Sequence, residues 1–199
     1  MSGTSVVTHS AVETRTVGRT VGSMLEAGDT VLLAGELGAG KTQLAKGIAD
    51  GLGVTEPVVS PTFTIAREYE GRVRMVHVDV YRLDRAQEVL DLGLDDASDD
   101  VVTVVEWGDV AGAYLPAERL EIRLEIRREN RRENRPESRP ENLDGVAGAP
   151  DDRSDDRSDD RPDDRVVTIT ATGPAWQARG DALASVLGSA LGAGRGEVS

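Results

Sequence analysis

Residues 35–42, Gly-Glu-Leu-Gly-Ala-Gly-Lys-Thr, have the spacing with the clearest chemical meaning in this chain. They match G-x-x-x-x-G-K-[ST], the phosphate-binding loop of nucleoside triphosphatases. Gly35, Gly38 and Gly40 let the backbone turn tightly and bring successive N–H groups toward a triphosphate. Lys41 carries a compact positive charge to the β- and γ-phosphates, and the Thr42 hydroxyl can ligate Mg²⁺. The expected nucleotide-binding segment is therefore Gly35, Glu36, Leu37, Gly38, Ala39, Gly40, Lys41, Thr42 and Gln43. A second signal is Val101-Val102-Thr103-Val104-Val105-Glu106-Trp107, an apolar run that ends in a carboxylate. In P-loop enzymes such a carboxylate holds Mg²⁺ or orients the attacking water. The plainer alternative is an acid that merely starts a surface turn.

Two further groups are less specific. In Pro57-Val58-Val59-Ser60-Pro61-Thr62-Phe63 the prolines stiffen an extended connection, beside which Ser60 and Thr62 offer hydroxyls. A switch-like loop that senses the γ-phosphate and an ordinary proline-shaped strand entry both fit this spacing. His77, in Met75-Val76-His77-Val78-Asp79-Val80-Tyr81, reads as a hydrogen-bonded structural residue before it reads as an acid–base catalyst. With two His and no Cys in the chain, no transition-metal site is expected.

These residues need particular elements to hold them. Thr30–Ala34 is a short apolar run fit for a buried strand leading into the phosphate loop. Leu44, Ala45, Ile48, Ala49 and Leu52 recur at helical spacing after it, and Gly53 can end that helix. The helix N-terminus then faces the phosphates, where its dipole favours negative charge. Ahead of the loop, Ser5–Thr8 fits an edge strand, and Ser10 with Glu13 forms a capping box for a helix to about Leu25. Phe63–Glu70 and Val73–Val80 predict a hairpin about Gly71, followed by a short helix over Arg85–Leu92 and an acidic turn over Asp95–Asp100. Leu120–Ile126 alternates like an exposed antiparallel strand with Val166–Thr172 as its partner, and Pro174–Leu191 predicts a last helix despite Gly180 and Gly188. The sum is a P-loop NTPase-like three-layer α/β sandwich, with a mixed, mainly parallel sheet and an antiparallel hairpin.

Between the last two strands, four-residue repeats run over 128–142 (Arg-Glu-Asn-Arg, Arg-Pro-Glu-Ser) and 151–165 (Asp-Asp-Arg-Ser). They contain no apolar residue to offset the entropy of ordering, so 128–164 is expected to be a disordered insertion in a hairpin loop. One domain then comprises 1–127 and 165–192, with a flexible tail over 193–199. The net charge of −13 repels polyanions, and residues 127–165 supply only −3 of it, from 10 Arg against 13 acids. Direct gripping of tRNA or DNA by a broad basic surface is therefore not expected. No apolar run approaches the ~18 residues that span a membrane, and no signal peptide heads the chain. The expected compartment is the cytoplasm, without a membrane partner.

Taken in order, the phosphate loop, Ser60-Pro61-Thr62-Phe63, His77-x-Asp79-x-Tyr81-Arg82-Leu83 and Glu106-Trp107 make the chain resemble the bacterial TsaE family over about residues 10–126. The resemblance implies an ATPase that serves threonylcarbamoyladenosine formation at position 37 of tRNA, acting with TsaB and TsaD and touching tRNA only indirectly. It implies that Lys41 binds phosphates, that Thr42 and Glu106 ligate Mg²⁺, and that Asp79 assists hydrolysis. Ser60 and Thr62 would belong to a switch-like loop, and Trp107 would sit beside the site. Two departures stand out: Gly108-Asp109 follows Trp107 where family members place a Glu, and the repeats are foreign to the family pattern. A small-molecule kinase and a non-catalytic, nucleotide-switched binding module are the alternatives, separable by phosphate release with and without acceptors.

Overall fold

The computed structural model describes residues 2–61, 63–81, 99–107, 112, 115–127 and 164–192. The strand expected ahead of the phosphate loop is β2 (Thr30–Gly35), whose first five residues are buried, as a strand covered on both faces must be. Around it runs one seven-stranded sheet in the order β1-β7-β6-β2-β5-β4-β3. Its members are β1 (Ser2–Thr8), β3 (Ala66–Tyr69), β4 (Arg74–Asp79), β5 (Val101–Glu106), β6 (Arg119–Arg127) and β7 (Asp164–Thr172). Among the described residues the helices are α1 (Ala11–Met24), α2 (Lys41–Gly51) and α3 (Pro174–Gly192). β2 pairs in parallel with β5 and β6, and β5 with β4, while β1–β7, β6–β7 and β3–β4 are antiparallel. The sheet is thus mixed as expected, but partly rather than mainly parallel.

Strand alternation divides the apolar residues between two faces. Val31, Leu33, Val102, Val104, Leu120, Ile122 and Leu124 join Val17, Val21, Leu44, Ile48, Trp176 and Leu183 of the three helices in the larger core. Leu32, Val78, Val80, Val105 and Leu115 form a smaller cluster on the opposite face. Helix α1 starts as its sequence predicts: the Glu13 N–H donates to the Ser10 hydroxyl at 3.1 Å, and the Glu13 carboxylate accepts from the His9 N–H at 2.7 Å. Helices α1 and α2 cross with backbones in contact, because Gly18 and Gly22 face Gly47 and Gly51. Arg15 adds a two-pronged bond to Asp50, at 2.6 and 2.9 Å. That hydrogen bond holds the Asp50 carboxyl below its ordinary 3.8, and raises the Arg15 guanidinium. Helix α3 forms through Gly180 and Gly188. Arg179 stacks on Trp176 and grips Asp29 at 2.9 and 2.6 Å, tying α3 to the entry of β2.

Two expectations need correction. β6 is an interior strand, antiparallel to β7 as expected but also parallel to β2. Its alternation showed that one face is wet and could not show how many neighbours it has; Leu120, Ile122 and Leu124 are fully buried. β3 begins at Ala66 and not at Phe63, because the N–H groups of Thr64 and Ile65 both donate to the Pro61 carbonyl and turn the chain there. The helix expected over 85–92, most of the acidic turn, Thr62, Arg82, Leu83, Gly108 and Asp109, nearly all of the 128–164 insertion and the 193–199 tail lie outside the described residues. Among the described residues no helix is long and apolar enough to cross a membrane.

Candidate nucleotide-binding site

The parallel strands β2, β5 and β4 end at one edge of the sheet, the usual position of ligand sites in open α/β sheets. The phosphate loop leaves β2 there. Gly35 has φ 136°, and a Cβ on it would lie 2.3 Å from the Leu124 carbonyl oxygen of β6, so only glycine lets these backbones approach. Gly40, at φ 107°, is the N-cap of α2 and offers no side-chain bond to the helix. The first N–H groups of α2 are therefore left without a side-chain cap at the cleft, where anions bind best.

Lys41 is 4% exposed, and its Nζ donates to the carbonyls of Gly35 at 2.7 Å and Glu36 at 2.9 Å. The same ammonium stands 3.6 Å from the centre of the Trp107 ring, a cation–π contact. Trp107 has φ 65° and packs on Tyr81 with ring centres 4.7 Å apart. A left-handed backbone at a bulky residue is strained, and it turns the indole back over the lysine.

The β4–β5 register sets Asp79 opposite Glu106, and both carboxylates are almost fully buried. The Thr42 hydroxyl donates to Glu106 Oε2 at 3.1 Å, while His77 Nε2 meets Glu106 Oε1 at 2.9 Å. The Ser60 hydroxyl donates to Asp79 Oδ2 at 3.1 Å, and the Tyr81 N–H to Oδ1 at 3.0 Å. Ser60 is carried there by a loop that β3 anchors, since the Tyr69 hydroxyl bonds both the N–H and the carbonyl of Val59 at 3.2 Å. The acids are thus hydrogen-bonded where they are desolvated, as buried charges must be.

Most of the residues singled out in the sequence converge on a cleft of about 260 Å³. Leu37, Gly38, Gly40, Lys41, Thr42 and Gln43 line it from the phosphate loop and the start of α2, Asp79 and Glu106 from the ends of β4 and β5, and Ser60 and Trp107 from the loops beside them. Gly35, Glu36 and Ala39 do not line it: the first two give carbonyls to Lys41, and the Ala39 side chain is buried in the core. Thr62 lies outside the described residues. Three contributors were not placed in the site from the sequence, although His77 was read there as a hydrogen-bonded structural residue, as it is. Tyr81 lines the cleft, His77 reaches Glu106 across two strands, and Arg165 of β7 donates from Nε to the Ala39 carbonyl at 3.1 Å. The first two sit inside the motif around Asp79, which hinted at them; Arg165 closes a charged repeat and carries no local signal.

Residues 8–134 match the family model described as threonylcarbamoyl adenosine biosynthesis protein TsaE. The match stops inside the first Arg–Glu repeat. The tRNA threonylcarbamoyladenosine biosynthesis protein TsaE of Mycobacterium tuberculosis is 46% identical over 134 residues, covering 62% of this chain and 80% of that protein. The protein of the same name from Streptomyces coelicolor is 48% identical over 113 residues, 55% of this chain and 76% of its own length. A crystal structure of YdiB from Bacillus subtilis superposes with a TM-score of 0.66 at 28% identity, covering 93% of this chain and 96% of that one.

Proposed function

The chain belongs to the TsaE family of threonylcarbamoyladenosine biosynthesis proteins, and from that premise we propose that it is a Mg²⁺-dependent ATPase, stimulated by its partners and serving tRNA modification. The observation that carries the reading is the meeting of Thr42 and Glu106 at 3.1 Å beside Lys41, at the mouth of the phosphate loop. A hydroxyl and a carboxylate are hard oxygen donors, which suits Mg²⁺ with phosphate oxygens and water completing its shell. When bound, that ion supplies neutralising charge for the β- and γ-phosphates.

The remaining work falls to the chain itself. The N–H groups at the start of α2 receive the phosphates, and Lys41 exchanges its Gly35 and Glu36 carbonyls for phosphate oxygens. Asp79, fixed by Ser60 and by the Tyr81 N–H, orients the attacking water. Ser60 ties the 57–63 loop to that aspartate, so the loop can report the state of the γ-phosphate to a partner surface. The partners are TsaB and TsaD. With a net charge of −13 the chain reaches tRNA through them and not by its own surface.

The test is phosphate release from ATP, with nucleotide affinity measured by titration calorimetry. We expect slow release alone and faster release with the TsaB–TsaD assembly. Lys41→Ala should lose ATP binding; Glu106→Ala and Asp79→Ala should both lose hydrolysis, with Asp79→Ala keeping more affinity. Full activity alone with no response to the assembly, or unimpaired hydrolysis in both carboxylate mutants, would overturn the proposal.

A further inference from the structure

His77 lies on β4 at 0% exposure, and it shares a face with Asp79 two residues on. The parallel register sets Asp79 opposite Glu106, so His77 reaches Glu106 diagonally across the two strands, Nε2 to Oε1 at 2.9 Å. Its other ring nitrogen, Nδ1, is buried and has no hydrogen-bond partner among the described residues. These facts fix the tautomer. A proton on Nδ1 would strand a buried donor and set the Nε2 lone pair against a carboxylate oxygen; a proton on Nε2 avoids both penalties.

An imidazole with one orphaned nitrogen is a poor choice for filling a core. An apolar side chain of similar size would fit β4 without that penalty, but it could not reach Glu106 with a hydrogen-bond donor. Glu106 needs one. The last torsion of a glutamate is broad and nearly two-fold, so packing leaves the carboxylate plane free to turn. Two hydrogen bonds fix it: Thr42 takes Oε2 and His77 takes Oε1.

We propose that His77 is the positioning residue of the metal-binding carboxylate, holding Glu106 Oε1 so that Oε2 stays aimed at Thr42 and at the Mg²⁺ position. The inference rests on the reading of Glu106 as a metal ligand. It assigns His77 a role that packing alone does not require. Partners in the outer shell of a metal ligand typically govern affinity by about 10- to 100-fold, which sets the size of the expected effect.

The experiment measures Mn²⁺ binding to the protein–ADP complex by the loss of the free Mn²⁺ electron paramagnetic resonance signal, alongside ADP affinity in EDTA. His77→Leu keeps the volume and removes the donor; His77→Gln puts an amide N–H near the place of Nε2. We expect His77→Leu to weaken Mn²⁺ binding by about 10-fold or more, with ADP affinity in EDTA unchanged. His77→Gln should recover most of the loss. Wild-type Mn²⁺ affinity in His77→Leu, or an equal loss of ADP affinity with and without metal, would overturn the proposal. Should His77→Leu fail to fold, His77→Asn, whose amide is too short to reach Oε1, replaces it, and equal Mn²⁺ affinity in the Asn and Gln variants would overturn it as well. Glu106→Gln separates the two readings. Retained Mn²⁺ affinity there defeats the metal-ligand assignment itself, whereas loss there with none in His77→Leu defeats only this inference.

Discussion

Gly22 is the position where a single methyl group should be felt throughout the molecule. A Cβ built there would lie 2.1 Å from the Ile48 carbonyl oxygen and 2.9 Å from the Ile48 Cα, both backbone atoms of α2. Neither can rotate away, so helices α1 and α2 must separate by more than about 1 Å to accept it. The partner glycines are just as tight, with Gly18 facing Leu44 O at 2.3 Å, Gly47 facing Arg15 O at 2.1 Å and Gly51 facing Arg19 O at 2.3 Å. Two effects compete in Gly22→Ala. Alanine gains about 1 kcal/mol of helix propensity. Overpacking costs about 1–3 kcal/mol and more where the neighbours cannot move. Contact with rigid backbone puts this site at the upper end, so the net loss should be about 2 kcal/mol or more. For a chain of this size that is a drop in Tm of about 4–8 °C. Gly188, on the exposed face of α3, has nothing within 4 Å of its added Cβ. Gly188→Ala should therefore gain about 0.5–1 kcal/mol from propensity alone. Thermal melts by calorimetry or circular dichroism read both variants. Because α2 opens with Lys41 and Thr42, Gly22→Ala should also weaken nucleotide binding, while Gly188→Ala should not. A Gly22→Ala protein that melts at or above the wild type would refute the argument from the crossing.

The Arg15–Asp50 pair should leave a mark on acid stability. Asp50 has its carboxyl lowered in the folded state, so its contribution is complete above the ordinary 3.8 and is lost as pH falls through the folded value. Wild type should exceed Asp50→Asn by under about 1 kcal/mol at neutral pH, since the pair is partly exposed, and the gap should close in acid; melts in which the gap widens toward acid would contradict this. Residues 128–163 should be dispensable for folding, because β6 and β7 pair Arg127 directly with Asp164, and a two-residue Asn-Gly or Gly-Ser turn can close such a hairpin. The shortened chain should melt within a few degrees of the original and keep its ATP affinity by calorimetry; a fall of many degrees would show that the segment packs on the domain.

What could be read in the sequence was what short-range pattern encodes. The strand, loop and helix around residues 30–51 follow from an apolar run, three glycines and a 3.6-residue period, and the strand ending in Glu106 from another run. Ser10 and Glu13 marked the start of α1 to the residue. Contacts between distant segments were not readable in this way. Nothing local in Leu120–Ile126 says that β2 lies beside it, and His77 meets Glu106 only because a parallel register sets them on neighbouring strands. Glycine misled most. Gly180 and Gly188 looked like weaknesses in a helix that forms regardless, while Gly18, Gly22, Gly47 and Gly51 are spaced by four on two helices and gave no warning that they make a backbone crossing.

Strain in the described backbone is gathered beside the cleft. Ile65 and Trp107 are the non-glycine residues there with φ in the left-handed region, at 66° and 65°. Each such residue costs on the order of 1–3 kcal/mol, and a β-branched side chain such as Ile65 tolerates it badly. Both turns place site groups. The Ile65 carbonyl accepts from the Asp79 N–H at 2.9 Å, in the same turn that returns Pro61 and Ser60 over Asp79. Trp107 follows Glu106 and folds its ring onto Lys41. Two buried acids and a buried lysine add desolvation at the same place. A domain with a net stability of about 5–15 kcal/mol can hold this arrangement only if packing elsewhere offsets it. That packing is the layer where Leu44 and Ile48 of α2 meet the sheet, and the glycine crossing presses α2 against it. Loosening the crossing should therefore disturb the Lys41–Trp107 contact before it disturbs β1, at the far edge of the sheet, so the fluorescence of Trp107, read in a Trp176→Phe background, should shift below the global melting transition in Gly22→Ala. A spectrum that changes only with global unfolding would mean that the site is held by its own hydrogen bonds and not by the helices behind it.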